Sequence, residues 1–198
     1  MKETILILDL GNVVFPMQFE KFNAWLDSCK GSPVDNFEEH FHKIYLDYER
    51  GDFDTKIFMS RLKSELNLTF SDEKYKEMWV SIWKENTEGI TEVVSDFKDK
   101  IQCCVLSNTN ALHIEHYLKT KPILSMFDKL YFSHELKSAK PEEKIYKKVA
   151  VDLECEPNQI VFFDDKIENI ESAKACDWDA YIFEDADQVR RILENRIA

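Results

Sequence analysis

The chain has 198 residues, with 26 basic against 38 acidic side chains, a formal net charge of −12 and 44% hydrophobic residues. That length fits one domain, or one domain carrying an insertion, and that hydrophobic content can supply a core. The acidic balance argues against a nucleic-acid protein, which presents a basic face.

Residues 5–8 form the first short apolar run and end in Asp9-Leu10-Gly11-Asn12. The run is too brief for a signal peptide or a membrane span, so a cytoplasmic protein without membrane association is expected. The next stretch, to about residue 86, has no convincing strand. Residues 19–29, 36–48, 55–66 and 72–84 read instead as four amphipathic helices, separated by Gly31-Ser32-Pro33, Gly51-Asp52 and Thr69-Phe70-Ser71. Their many aromatic residues read as the insertion's own core, with a sugar-stacking surface as the alternative. A fifth helix over 91–98 leads to an apolar run at 103–106 that ends in Ser107-Asn108-Thr109-Asn110. A helix over 110–119 follows, in which His113 and His116 read as a solvated or capping pair. Then come a strand at 129–132 ending in Ser133, a helix over 141–153 with Pro141 at its first position, and a strand at 160–163 ending in Asp164-Asp165. A helix over 166–176, a strand over 180–183 and a helix over 186–197 complete the chain.

Short runs that are apolar throughout are the mark of parallel strands covered on both faces. The expected architecture is therefore α/β: a doubly wound parallel sheet with a four-helix insertion after strand one. Residues 1–16 and 87–198 would form the core and residues 17–86 the insertion. The four glycines stand too far apart for a dinucleotide fingerprint or a Walker A loop. The five cysteines are odd in number and follow no CxxC spacing, against a disulfide scaffold or a zinc site.

In open α/β sheets ligands bind beyond the carboxyl ends of the strands. The residues expected there are Asp9, Ser107, the stretch 133–140, and Asp164-Asp165. Each alone is unremarkable: an Asp after a strand is usually a turn residue or a cap, and Lys140 alone is most often solvated. Adjacent carboxylates, however, repel each other unless a cation lies near. Three carboxylates from two strands can hold a hard cation such as Mg2+. A serine hydroxyl and a lysine suit a phosphoryl group, and a carboxylate can attack phosphorus to form an aspartyl-phosphate.

Asp9-Leu10-Gly11-Asn12-Val13, Ser107-Asn108, Lys140-Pro141 and Phe163-Asp164-Asp165 together resemble the four motifs of the haloacid dehalogenase (HAD) superfamily. Within it, the chain resembles the sugar phosphatases of the bacterial α-D-glucose 1-phosphate phosphatase group, and Glu49-Arg50-Gly51 in the insertion fits that group too. The resemblance spans essentially the whole chain. It implies a Mg2+-dependent phosphomonoesterase acting on a small phosphate ester, with no nucleic-acid or membrane partner, as a monomer or weak homodimer. It also implies roles. Asp9 would be nucleophile and metal ligand, with the Gly11 carbonyl and Asp165 as further ligands. Ser107 and the Asn108 N–H would hold the phosphoryl group, and Lys140 would bridge Asp9 and that group. Asp164 and Asn169 would hold metal-bound waters.

One position departs from the pattern. Most HAD phosphatases carry a general acid two residues after the nucleophile, where this chain has Gly11. A good leaving group can need less acid; a water or an insertion residue (Glu49, Arg50, His40 or His42) can donate instead; or the chain is a weak or non-catalytic binding relative. A 2-haloacid dehalogenase also lacks the second Asp, but it needs no cation, which leaves Asp164-Asp165 an unrelieved repulsive pair.

Overall fold

A computed structural model describes residues 4–197. The ends of the expected core, residues 1–3 and 198, lie outside the described residues. Five strands among the described residues, β1 (Ile5–Leu8), β2 (Gln102–Ser107), β3 (Lys129–Phe132), β4 (Ile160–Asp164) and β5 (Asp179–Ile182), form one sheet in the order β3-β2-β1-β4-β5. Every pairing is parallel.

Alternation along the strands sorts their side chains onto two faces. Leu6, Leu8, Cys103, Val105, Val161 and Phe163 pack into one cluster with α5 (Ile90–Phe97), α6 (Ala111–Thr120) and α10 (Ala186–Ile197). Ile5, Ile7, Cys104, Leu106, Ile160 and Phe162 pack on the opposite face with α8 (Glu143–Leu153) and α9 (Ile167–Ala175). The doubly wound α/β fold expected from the apolar runs is the fold observed. No helix among the described residues is long and apolar enough to cross a membrane.

Between β1 and α5 lie α1 (Glu20–Ser28), α2 (Phe37–Glu49), α3 (Thr55–Glu65) and α4 (Asp72–Val80). Asp54 and Ser71 cap α3 and α4 by accepting from Ile57 N–H and Lys74 N–H, satisfying donors that a helix start leaves unpaired. The four helices bury Phe22, Leu26, Phe58, Leu62, Tyr75 and Trp79 in a separate apolar cluster. Two local expectations are corrected. Pro141 does not open a helix: α8 begins at Glu143, and Pro141 follows Lys140 through a cis peptide in the preceding loop. The helix expected over 72–84 stops at Val80, and Trp83 turns back to bridge with Met17. The short helix α7 (Ser133–Leu136) carried no periodic signal, being only one turn long.

Candidate active site

β1 lies between β2 and β4, so the chain passes to opposite sides of β1 at this point of the sheet. Such a switch point opens a crevice at the strand ends. The register pairs Leu8 with Val105 and with Phe163, and Asp9 N–H donates to the Phe163 carbonyl at 3.0 Å. Asp9, one residue beyond β1, therefore stands between the ends of β2 and β4, beside Ser107 and Asp164.

Lys140 ties these ends together. Its Nζ donates to the Leu106 carbonyl at 2.9 Å and to Asp164 Oδ2 at 2.5 Å, and pairs with Asp9 Oδ1 at 2.9 Å. Reciprocal bonds fix its backbone: Asn108 Nδ2 donates to the Lys140 carbonyl at 2.7 Å, and Lys140 N–H donates to Asn108 Oδ1 at 2.8 Å. Burial alone would lower the Lys140 ammonium, but Asp164 and Asp9 outweigh it and hold the group above its ordinary value.

The oxygens of Asp164 are fully engaged. Oδ1 accepts from Lys166 N–H at 2.9 Å and from Asn169 Nδ2 at 2.8 Å, while Oδ2 holds Lys140. Asp165 is half-buried and accepts from Asn12 Nδ2 at 2.8 Å. Asn12 adopts a left-handed backbone, φ 56°, which Asn tolerates better than most residues; this folds the loop after β1 so that its amide reaches Asp165. One carboxylate oxygen from each of Asp9, Asp164 and Asp165 lies within 4.8 Å of the others. Burial raises the Asp9 carboxyl above the ordinary carboxylate range; Lys140 opposes the shift, and Asp164 and Asp165 add to it.

A cavity of about 510 Å³ opens from these strand ends toward the helices between β1 and α5. Asp9, Gly11, Ser107, Asn108, Lys140, Asp165 and Asn169 line one side, and Phe19, Phe22, Phe41, Tyr45, Glu49, Trp79 and Trp83 line the other. The aromatic residues thus serve two purposes: Phe22 and Trp79 belong to the inter-helical core and also face the cavity. At Gly11 the neighbouring space is taken, since a Cβ would meet Met17 Sδ at 3.1 Å.

Of the four insertion residues considered as proton donors, Glu49 is buried on the cavity wall and His42 lies exposed on it. His40 and Arg50 do not line it, and Arg50 pairs instead with Glu142 at 2.8 Å. Glu49 accepts a hydrogen bond from Tyr45 OH. Burial pushes its carboxyl up to about 7, partly opposed by Tyr45, Lys166 and Lys140. His113 is not solvated as expected. It is buried, stacked on Trp79 at 4.8 Å between ring centroids, with Nε2 3.3 Å from the Trp79 carbonyl. Burial lowers it to about 3, so the ring is neutral at pH 7.

A family model described as haloacid dehalogenase-like hydrolase matches residues 26–182. The chain belongs to that family. D-ribitol-5-phosphate phosphatase of Bacteroides thetaiotaomicron is 22% identical to this HAD-like hydrolase over 89% of each chain. The phosphorylated carbohydrates phosphatase of Thermotoga maritima is 28% identical over 52% of this chain and 48% of its own. A crystal structure of a HAD family enzyme from Bacteroides thetaiotaomicron, in complex with magnesium and inorganic phosphate, matches with a TM-score of 0.81 and 25% identity, covering 92% of this chain and 94% of that one.

Of the strand-end residues read from the sequence, Asp9, Ser107, Asp164 and Asp165 come together; of the stretch 133–140 only Lys140 joins them, while Ser133 binds the Glu49 carbonyl instead. Asn12, Tyr45 and Lys166 were missed. Asn12 carried a faint signal, since Asn next to Gly after a strand marks a turn. Tyr45 and Glu49 are one helical turn apart on α2, a spacing that lets side chains meet but leaves unsaid what the pair faces.

Proposed function

We propose that this HAD-like hydrolase is a Mg2+-dependent phosphomonoesterase that acts through an aspartyl-phosphate on a small phosphorylated metabolite, a sugar phosphate. The observation that carries the reading is the cluster of Asp9, Asp164 and Asp165 around Lys140, beside Ser107 and Asn108 at the sheet's switch point.

The residues fit a hard divalent cation. The donors are oxygens, and three converging carboxylates face a single buried lysine, which leaves negative charge for a cation to balance. Asp9, Asp165 and the Gly11 carbonyl would ligate it, and Asp164 and Asn169 would hold its waters. That division is supported by Asp164, whose oxygens are already engaged by protein donors. The cation would supply positive charge beside the transferring oxygens.

The chain's own groups do the rest. The Asp9 carboxylate attacks phosphorus and the ester oxygen leaves; water then cleaves the Asp9–phosphorus bond. Ser107 Oγ, whose contact with the Asn108 carbonyl is long at 3.5 Å, is available to a phosphoryl oxygen together with the Asn108 N–H. Lys140, held charged, offsets the developing negative charge. Residues 17–86 act as a cap over a core of residues 1–16 and 87–198, excluding water and selecting the substrate. The relatives named for phosphorylated carbohydrates support the sugar-phosphate class, as do Asn23, His42 and Glu49, which give the aromatic wall polar contacts.

The test is phosphate release from sugar phosphates, nucleotides and an aryl phosphate, with Mg2+ and with EDTA. Mg2+-dependent release, strongest on sugar phosphates, is expected. EDTA-insensitive halide release from 2-haloacids, or binding of phosphate esters without turnover, would overturn the reading.

A further inference from the structure

Departure of an alkyl leaving group from phosphorus needs a proton, and Gly11 cannot supply one. The cavity wall offers few candidates. Lys140 is committed to Asp9, Asp164 and the Leu106 carbonyl. His113 is neutral and turned to the Trp79 carbonyl. The phenol of Tyr45 is pushed far above its ordinary value by burial and by Glu49. His42, Lys166 and Glu168 are exposed to solvent. Glu49 is different: 5% exposed, it is a carboxyl on the wall with no salt-bridge partner among the described residues.

The backbone beside it is anchored to the core. Ser133 Oγ donates to the Glu49 carbonyl at 2.6 Å and accepts from Thr109 N–H at 2.9 Å. Lys137 Nζ donates to the Gly51 carbonyl, and Arg50 pairs with Glu142. Gly51 has φ +76° and packs so closely that a Cβ would collide with the His134 carbonyl. Three consecutive residues thus fasten the end of α2 to the segment between β3 and α8, and this holds Glu49 at the cavity beside the strand ends.

We infer that Glu49 is the proton donor to the leaving oxygen, taking the place of an acid two residues after Asp9, with Tyr45 as the residue that positions it. The inference rests on the phosphatase reading above. In the first half-reaction an Asp9 oxygen bonds to phosphorus, the phosphorus–ester oxygen bond breaks, and the Glu49 proton passes to that oxygen to give the alcohol. In the second, Glu49 carboxylate takes a proton from the attacking water as the Asp9–phosphorus bond breaks, releasing inorganic phosphate and restoring both side chains. The groups acting on the Glu49 carboxyl are Tyr45 from its own helix and Asp9, Lys140 and Lys166 from the core. Its elevated proton affinity is consistent with this work near neutral pH.

The experiment compares an alkyl phosphate (a sugar phosphate) with an aryl phosphate such as p-nitrophenyl phosphate, whose leaving group needs little acid. Glu49→Gln keeps the acceptor for Tyr45 and the backbone anchor. It is expected to lower kcat on the alkyl ester by about 10²-fold or more and on the aryl ester by less than about 10-fold, following the size of general-acid effects. Glu49→Asp, which keeps a shortened carboxyl, should fall between, and serves if the Gln variant does not fold. Equal losses on the two esters in a folded variant, or no loss on either, overturn the assignment. Absence of phosphate release by the wild-type protein on both esters would instead remove the phosphatase reading itself.

Discussion

The two walls of the cavity are built by different means. On the sheet side, strand order and register place all three: Ser107 and Asp164 are the last paired residues of β2 and β4, and Asp9 stands one residue beyond β1. On the helical side, Tyr45, Glu49 and the aromatic residues arrive only because α1, α2 and α4, with the turns beside them, face the strand ends across the cavity. The sheet wall carries charge: buried carboxylates held by one buried lysine. The helical wall is apolar, with a few polar groups set into it. In the proposed reaction the contrast separates attack on phosphorus from handling of the group that leaves, and each wall is open to its own disruption.

The largest effect is expected at the centre of the sheet wall. Asp9→Asn should lower turnover by more than about 10⁴-fold, in the range seen when a nucleophile is removed, with a circular dichroism spectrum close to wild type. Near-normal activity would remove Asp9 from the chemistry.

Lys140→Ala tests whether the same wall is held by its ion pairs. It leaves Asp9 and Asp164 buried without their cation, and loss of one partner from such a cluster costs about 3–5 kcal/mol. Denaturant unfolding should show that loss, with part of it regained when Mg2+ is added. A variant as stable as wild type would mean that the carboxylates find other partners.

Gly51→Ala reaches the joint between the walls. The positive φ and the approach of His134 predict a cost of about 1–3 kcal/mol, typical of a residue forced into a disfavoured backbone region. If α2 is fastened here, kcat on alkyl esters should fall along with the Tm; an unchanged Tm would sever the two.

At neutral pH the smallest effect is at His113, where the walls touch through its ring and Trp79; it emerges only as the pH falls. Its folded value of about 3 lies below the ordinary 6.5, so the unfolded chain binds a proton that the folded state refuses. Its contribution is therefore full above about pH 6.5 and is lost as pH falls toward about 3, at up to about 1.4 kcal/mol per pH unit. The raised carboxyls of Asp9 and Glu49 act with the opposite sign. Subtracting the urea stability of His113→Phe from that of wild type between pH 7 and 4 isolates the histidine; a flat difference would refute the buried neutral ring.

The legibility of the two walls differs for the same reason. Ile5–Leu8 and Ile160–Asp164 are apolar runs that end in carboxylates, so their place at the end of a buried strand is written locally. Glu49 sits in Tyr48-Glu49-Arg50-Gly51 at the end of an amphipathic helix, where a glutamate ordinarily faces solvent. Nothing in its neighbours announces Ser133, 84 residues away, to which its carbonyl is bound. His113 misled in the same way: its helix was legible, but which face meets Trp79 depends on the docking of α4.

The sequence by itself determined the doubly wound sheet, the four helices after its first strand, and the carboxylates, serine and lysine at the strand ends. Periodicity, turn residues and the rule that parallel strands bind ligands at their carboxyl ends are all local or topological. Only the tertiary structure decided which donors engage the Asp164 oxygens, that Asn12 reaches Asp165, and that Glu49 is buried on the wall of the cavity that Asp9 also lines. Those outcomes depend on contacts between residues far apart in the chain, and burial and partnership, which set the chemistry of a carboxyl group, are properties of such contacts.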